Sequence, residues 1–315
     1  MNSNNKLTRR DALVTGVALA ASVSMSSTNY AESPKESGLI DAHSHIWGRD
    51  LEKFPLSNGK TLADLAPPSF TAEELLDTCQ PLGIERVVLI QHSIYHGWDN
   101  RYLIHEAARM PDRFRVVGMV DDTQPHPDVL CEKLLADRVT GFRITSGIRG
   151  KDKWLTGPGM NAMWKMGAKT GQAMCCLINP DDLPAVSHMC QHHPDTNVVI
   201  DHFARVGIDG EIRESDLNQL CALAKYPHVH VKVSAYYALG KKKPPYLDLL
   251  PMIRRVVDAF GPERTMWASD APYQVVDGHS YKASVELIRD HADFLSASDK
   301  EWLFRKTAEK VFFFV

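Results

Sequence analysis

From residue 38 to the C-terminus, short apolar runs alternate with amphipathic stretches, and this alternation restricts the possible folds more than any other feature of the chain. The runs are GLIDAHSHIW (38–47), RVVLIQHS (86–93), FRVVGMVD (114–121), VTGFRIT (139–145), AMCCLIN (173–179), NVVIDHFA (197–204), VHVKVSA (229–235) and RTMWASDAP (264–272). Most are apolar nearly throughout, the pattern of strands covered on both faces. Helix candidates lie between them. TAEELLDTCQPLG opens on a threonine cap with a capping-box Glu74 and stops at Gly83. PDVLCEKLLADR, DDLPAVSHMCQHH, ESDLNQLCALAKY, YLDLLPMIRRVVDAFG and the tail SASDKEWLFRKTAEKVFF follow. Eight strands alternating with helices imply a parallel sheet. With no linker or composition break after residue 38, the pattern predicts a single-domain α/β fold, a closed (β/α)8 barrel over 38–315. A doubly wound open sheet is the second arrangement.

The segment before the barrel is of another kind. Arg9 and Arg10 precede an apolar, Ala-rich stretch over 12–25 and a small, polar SSTNYAES. This predicts a twin-arginine signal peptide over 1–31 and an exported, periplasmic mature protein. Ala12 stands two places after the pair, where a large apolar residue is usual. The stretch is too short and too rich in small residues to span a bilayer comfortably, so no stable membrane insertion is expected. A net charge of −3 offers no electrostatic footprint for nucleic acid. The expected partner is a small molecule. None of the six cysteines forms a C-x-x-C pair, which argues against a thiolate zinc site.

The strand runs carry their polar residues late. His43 and His45 end the first, His92 and Ser93 the second and Arg143 the fourth; His202 and Arg205 follow the sixth, Ser234 the seventh, and Ser269 and Asp270 the eighth. In a (β/α)8 barrel, chemistry collects at those C-terminal strand ends. Alternate strand residues share a face, so Asp41, His43 and His45 are expected on one face. Asp41 is then a ligand or the acceptor that orients an imidazole. Asp270 reads as a general base or as a helix cap. Arg143 reads as a carboxylate clamp or as the salt-bridge partner of Asp41 or Asp201. Lys232 reads as a buried ion-pair partner or as a catalytic cation, the structural reading being preferred. Ser93 and His96 are assigned to substrate binding, with His92 and Trp98 on the same rim.

The stretches GLIDAHSHIWG, GFRI, VVIDHFAR, VHVKVSA and FGPERTMWASDAP, in this order, resemble the amidohydrolase-related TIM-barrel hydrolases, in the lactonase branch that opens pyrone dicarboxylate and sugar lactones. The resemblance spans nearly all of 38–315. It implies that His43, His45 and His202 surround the reacting carbonyl, that Asp270 activates water, and that Arg143 and Arg205 bind substrate carboxylate. Leu177 stands where the pyrone-dicarboxylate enzymes carry tyrosine, and AYYALGKKKPP replaces a loop in which they carry arginine. Their GTDWP segment becomes Ala268, Ser269, Asp270, Ala271 and Pro272. The catalytic frame is therefore expected to persist around an altered pocket. The expected cofactor is one divalent metal, zinc, or none, with His43, His45 and Asp270 as ligands. The expected activity is hydrolysis of a small carboxylated or polyhydroxylated lactone. A zinc-dependent non-hydrolytic decarboxylase and a non-catalytic ligand-binding barrel are the alternatives.

Overall fold

The computed structural model describes residues 38–150 and 154–315. The expected signal peptide over 1–31 lies outside the described residues. The eight strands are β1 (Leu39–Ser44), β2 (Ile84–Ile90), β3 (Phe114–Gly118), β4 (Val139–Thr145), β5 (Ala173–Leu177), β6 (Val198–Ile200), β7 (Val229–Val233) and β8 (Thr265–Trp267). They form one sheet in chain order, every neighbour pair parallel. The seam between β1 and β8 closes just beyond the end of β8. There the Asp270 amide donates to the His43 carbonyl at 2.8 Å, and the His45 amide to the Ala271 carbonyl at 2.8 Å. The expected (β/α)8 barrel is the fold.

Two apolar layers hold it. The inner one, with Ile40, Val88, Ile90, Val117, Val199 and Met266, fills the barrel interior, and Val311 and Phe312 of the last helix, Thr307–Phe312, close it from below. The outer one packs the helices on the strands and buries Trp47, Trp164 and Trp267 completely. Burial on both faces explains why the strands read as continuous apolar runs. Helix Ala72–Cys79 starts as its sequence says: Thr71 accepts from the Glu74 amide, Glu74 accepts from the Thr71 amide, and Gly83 takes a φ of 86°. Helices Arg101–Arg109, Pro158–Thr170 and Tyr281–Arg289 add to those the sequence suggested. All six cysteines are free, and five are buried as small apolar residues. No helix among the described residues is long and apolar enough to cross a membrane.

Candidate active site

The site begins with an irregularity in β1. Asp41 pairs with Val87 but Ser44 with Leu89, so three steps on β1 oppose two on β2. One extra residue is a bulge, and a bulge switches the face on which the following side chains lie. Ile40 and Ala42 point into the barrel, and so does His43, which reaches Lys232 and Asp201 inside it. Asp41 points the other way. It accepts from Ser44 Oγ at 2.7 Å, Ser269 N at 2.9 Å, Ser269 Oγ at 2.5 Å, Tyr281 Oη at 2.6 Å and His43 N at 3.0 Å. The expectation that Asp41 shares a face with the two imidazoles is corrected. It meets His43 only through the backbone and clasps β1 to the segment after β8.

Asp270 is the centre of the mouth. Its Oδ1 lies 3.4 Å from His43 Nε2 and 3.3 Å from His45 Nε2, and its Oδ2 lies 3.6 Å from His202 Nε2. Tyr237 donates its hydroxyl to Oδ2 at 2.8 Å. Asp270 Oδ1 and His43 Nε2 are buried with no hydrogen-bond partner among the described residues. Burial works to raise the Asp270 carboxyl, but His202, His45 and His43 outweigh it and hold it well below the usual carboxylate range. Asp201, beneath, is likewise held well below that range: burial works to raise it, but Lys232, with Nζ at 3.0 Å, together with His43 and His202 outweighs burial. Burial, helped by Lys232, holds the His43 imidazole well below its ordinary value. Burial pulls His202 down to about 4 against the pull of Asp270 and Asp201. At neutral pH both carboxylates are charged, and His43 and His202 are neutral.

Hydrogen-bond partners assign the imidazole protons. His45 Nδ1 lies 2.9 Å from the Ile90 carbonyl, which only accepts, so Nδ1 carries a proton while Nε2 faces Asp270 Oδ1. His43 Nδ1 meets both Lys232 Nζ at 3.2 Å and Asp201 Oδ1 at 3.4 Å. Accepting from Lys232 leaves Nε2–H as a donor into the mouth; donating to Asp201 leaves Nε2 as a ligand. Either tautomer has a partner. His202 Nδ1 pairs with Ser234 Oγ at 2.8 Å. Nitrogen and oxygen atoms of His43, His202 and Asp270 lie close enough together to hold one cation. The expected ligand set gains His202, while His45 stands beside it on Asp270. Lys232 is the ion-pair partner its sequence context suggested.

The backbone here is held in an unfavourable region. His202, Phe203, Ala204 and Arg205 have φ of 53°, 54°, 54° and 57°, Ala235 has 59° and Asp270 has 63°. A left-handed conformation costs a non-glycine residue about 1–2 kcal/mol. Strain of this kind persists where the surrounding fold over-determines it, and it clusters at functional sites. Here it turns His202, Arg205 and Asp270 toward one cavity of about 260 Å³.

Of the expected substrate contacts, Arg143, Arg205 and Ser93 line that cavity, together with His45, His92, His202 and Asp270. Arg143 meets neither Asp41 nor Asp201. Its one bond is a long 3.4 Å contact from Nη1 to the Gln91 carbonyl, and Arg205 has only a 3.5 Å contact to Asn179 Oδ1. Neither guanidinium pairs with a carboxylate among the described residues. His96 is a correction. Ser93 and Ile94 open helix Ser93–His96 and line the cavity. His96, about 4.5 Å further along the helix axis, is buried against Tyr102, with ring centroids 5.9 Å apart. Trp98 lines a separate groove with Ile104 and Leu130. Two tyrosines were not singled out from the sequence: Tyr237, on Asp270, and Tyr273, whose hydroxyl lies 2.6 Å from His92 Nε2. Their signal is position, since both follow directly on strand runs that end in site residues.

With this geometry in view, known proteins give the chain its relatives. It is 29% identical over 244 residues to an L-fucono-1,5-lactonase of Burkholderia ambifaria, covering 76% of this chain and 82% of the relative. It is 27% identical to a 4-sulfomuconolactone hydrolase of Hydrogenophaga intermedia, covering 75% of each. The solved structure of a putative 2-pyrone-4,6-dicarboxylic acid hydrolase from Pseudomonas putida superposes with a TM-score of 0.74 at 26% identity, over 88% of this chain and 98% of that one. The amidohydrolase family model matches residues 40–314, nearly the whole described barrel, and the chain belongs to the amidohydrolase family.

Proposed function

We propose that the barrel mouth hydrolyses the ester bond of a small carboxylated or polyhydroxylated lactone, with Asp270 as general base. The observation that carries this is Asp270 Oδ1: an ionised, buried carboxylate oxygen with no hydrogen-bond partner among the described residues, ringed by imidazoles and opening on a cavity with two guanidiniums that pair with no carboxylate among those residues. The lactone-opening activities in the names of the similar proteins support the same reaction class.

Each step uses groups in place. Tyr237 fixes Oδ2, so Oδ1 is free to accept a proton from water. Oxygen attacks the lactone carbonyl carbon, and the developing oxyanion is met by the N–H groups of His43 and His202. The ring C–O bond then breaks, Asp270 returns its proton to the departing alkoxide, and a hydroxy acid leaves. Arg143 and Arg205 hold the substrate carboxylate. In the alternative tautomers that turn lone pairs of His43 and His202 to the mouth in place of N–H donors, the donor set of His43, His202 and Asp270, with His43 Nε2 and Asp270 Oδ1 unpaired among the described residues, fits one divalent ion. Such an ion would supply Lewis-acid polarisation of the carbonyl.

The test is a lactone panel assayed with and without chelator, alongside elemental analysis of the purified protein. Ring opening slowed on the order of 10²–10⁴-fold by Asp270→Asn is expected. Carbon dioxide release from an aromatic acid, without lactone opening, would favour the decarboxylase. Ligand binding indifferent to Asp270→Asn would favour a non-catalytic barrel. We also propose export through Arg9 and Arg10; replacing both with lysine is expected to retain precursor in the cytoplasm.

A further inference from the structure

We propose that the site selects a lactone with one carboxylate and an apolar substituent, and that Ile94, Leu177, Ile208 and Leu239 determine this specificity by receiving the substituent. The inference rests on the lactonase reading and narrows its substrate.

The cavity wall divides into two chemistries. The reacting groups and the two arginines make one part. The other is Ile94, Leu177, Ala235, Ala238, Leu239 and Ile208, drawn from the ends of β2, β5, β6 and β7. Ile94 is 59% exposed and Ile208 is 43% exposed, although both are large aliphatic residues. Scattered exposed apolar residues need no explanation. These two face the same cavity as Leu177 and Leu239, and a substrate that covers them removes apolar surface from water. The lining tyrosines offer little to further hydroxyls, because Tyr237 is committed to Asp270 and Tyr273 to His92. Ser93 adds one hydroxyl. A polyhydroxylated ring would press several hydroxyls on aliphatic carbon, and each one left unpaired weakens binding roughly 5- to 100-fold.

Charge limits the other end. Arg143 on β4 and Arg205 after β6 flank Leu177 at the end of β5, and Arg143 is pulled down by burial, up by the Asp201 and Asp270 carboxylates, and down again by Arg205. With those two carboxylates already in the field, one substrate carboxylate between the arginines supplies the remaining counter-charge. Lys232 is engaged with Asp201 and His43 below the imidazoles. A second anionic group would lie against aliphatic wall or beside the Asp270 carboxylate.

Four γ-lactone probes test this with the full-length mature protein: a monocarboxylate, its n-butyl derivative, a dicarboxylate and a polyhydroxylated aldonolactone. The n-butyl probe is expected to lead in kcat/KM, by about fourfold for each methylene that becomes buried. The ratio of n-butyl to unsubstituted probe is expected to fall toward one in Ile208→Asn and in Leu177→Asn. Ile208 is half exposed on a loop, so its variant reads the effect even where the Leu177 variant folds poorly. An aldonolactone or dicarboxylate opened as well as the n-butyl probe overturns the inference and leaves the lactonase reading standing. If no probe is opened, the lactonase reading fails, and calorimetry with the matching open-chain hydroxy acids decides the specificity. Tighter binding of the n-butyl acid than of the polyhydroxy acid upholds it; equal binding overturns it.

Discussion

The two ends of this barrel are built by opposite rules. At the N-terminal floor, most polar groups are paired and apolar ones are packed, although Arg115 Nε and Thr140 Oγ1 are buried without a hydrogen bond among the described residues. Arg264 donates to the carbonyls of Phe260, Ala224 and Tyr226, and Phe312 is fully buried beneath the barrel interior. At the mouth, among the described residues, Asp270 Oδ1 and His43 Nε2 are buried without hydrogen bonds, two arginines lack carboxylate partners, and four successive residues from His202 to Arg205 are left-handed. A buried polar atom without a partner destabilises the fold, and at the mouth such atoms gather around one ionised carboxylate, Asp270. The contrast separates the residues that hold the barrel together from those available for chemistry, in agreement with the general division of labour in (β/α)8 barrels.

The widest gap between the two ends should appear on removing the mouth's base. Asp270→Asn keeps the size and one hydrogen-bond acceptor. It is expected to lower turnover on the order of 10²–10⁴-fold, with a cooperative unfolding transition retained. Near-normal turnover would make Asp270 a cap and erase the contrast. The converse change belongs to the floor. Phe312→Ala empties the plug under the barrel and is expected to cost about 3–5 kcal/mol in urea unfolding. Turnover per folded molecule should stay close to wild type. A comparable loss in turnover would mean that the floor also positions the mouth.

A smaller effect tests the arginines. Arg143→Lys keeps the charge but loses the planar fork. With a carboxylated lactone, kcat/KM is expected to fall on the order of tenfold, the worth of about one charge-assisted hydrogen bond. With an uncharged analogue the same change should matter far less. Equal losses on both substrates would make Arg143 a structural residue.

The floor and the frame were more legible in the sequence than the mouth. All eight strands were readable, because strands buried on both faces appear as continuous apolar runs. The positions of His43, His45, His202 and Asp270 were readable because each ends such a run. What failed was the direction of individual side chains. Asp41 was misplaced because period-two alternation assumes an unbroken ladder, and one extra residue in β1 breaks it. His96 was misplaced because the helix after β2 carries it one turn along its axis, past the cavity and onto Tyr102. Tyr237 was missed because its partner, Asp270, is 33 residues away, and only closure of the barrel brings the two together. The strand ends point to where chemistry collects, while bulges and turns decide which side chains arrive.

The finest test of the two ends uses pH. His230, on β7 near the floor, is held down to about 4, chiefly by burial and further by the charges of Lys310 and Arg264. An unfolded histidine titrates near 6.5. Between these values the unfolded chain binds the proton and the folded one does not. This contribution to stability is therefore complete above pH 6.5 and is lost as pH falls toward 4. Between pH 7.5 and pH 5.5 the wild type should lose about 1 kcal/mol more than His230→Gln, measured by urea unfolding at each pH. His202, held at about 4 in the mouth, contributes its own slope and is present in both proteins, so it cancels from the difference. The pH profile of turnover should be the same in both, because His230 lies outside the cavity. An identical stability slope would show that His230 is not held neutral by the floor, and a shifted turnover profile would show that the floor reaches the mouth electrostatically.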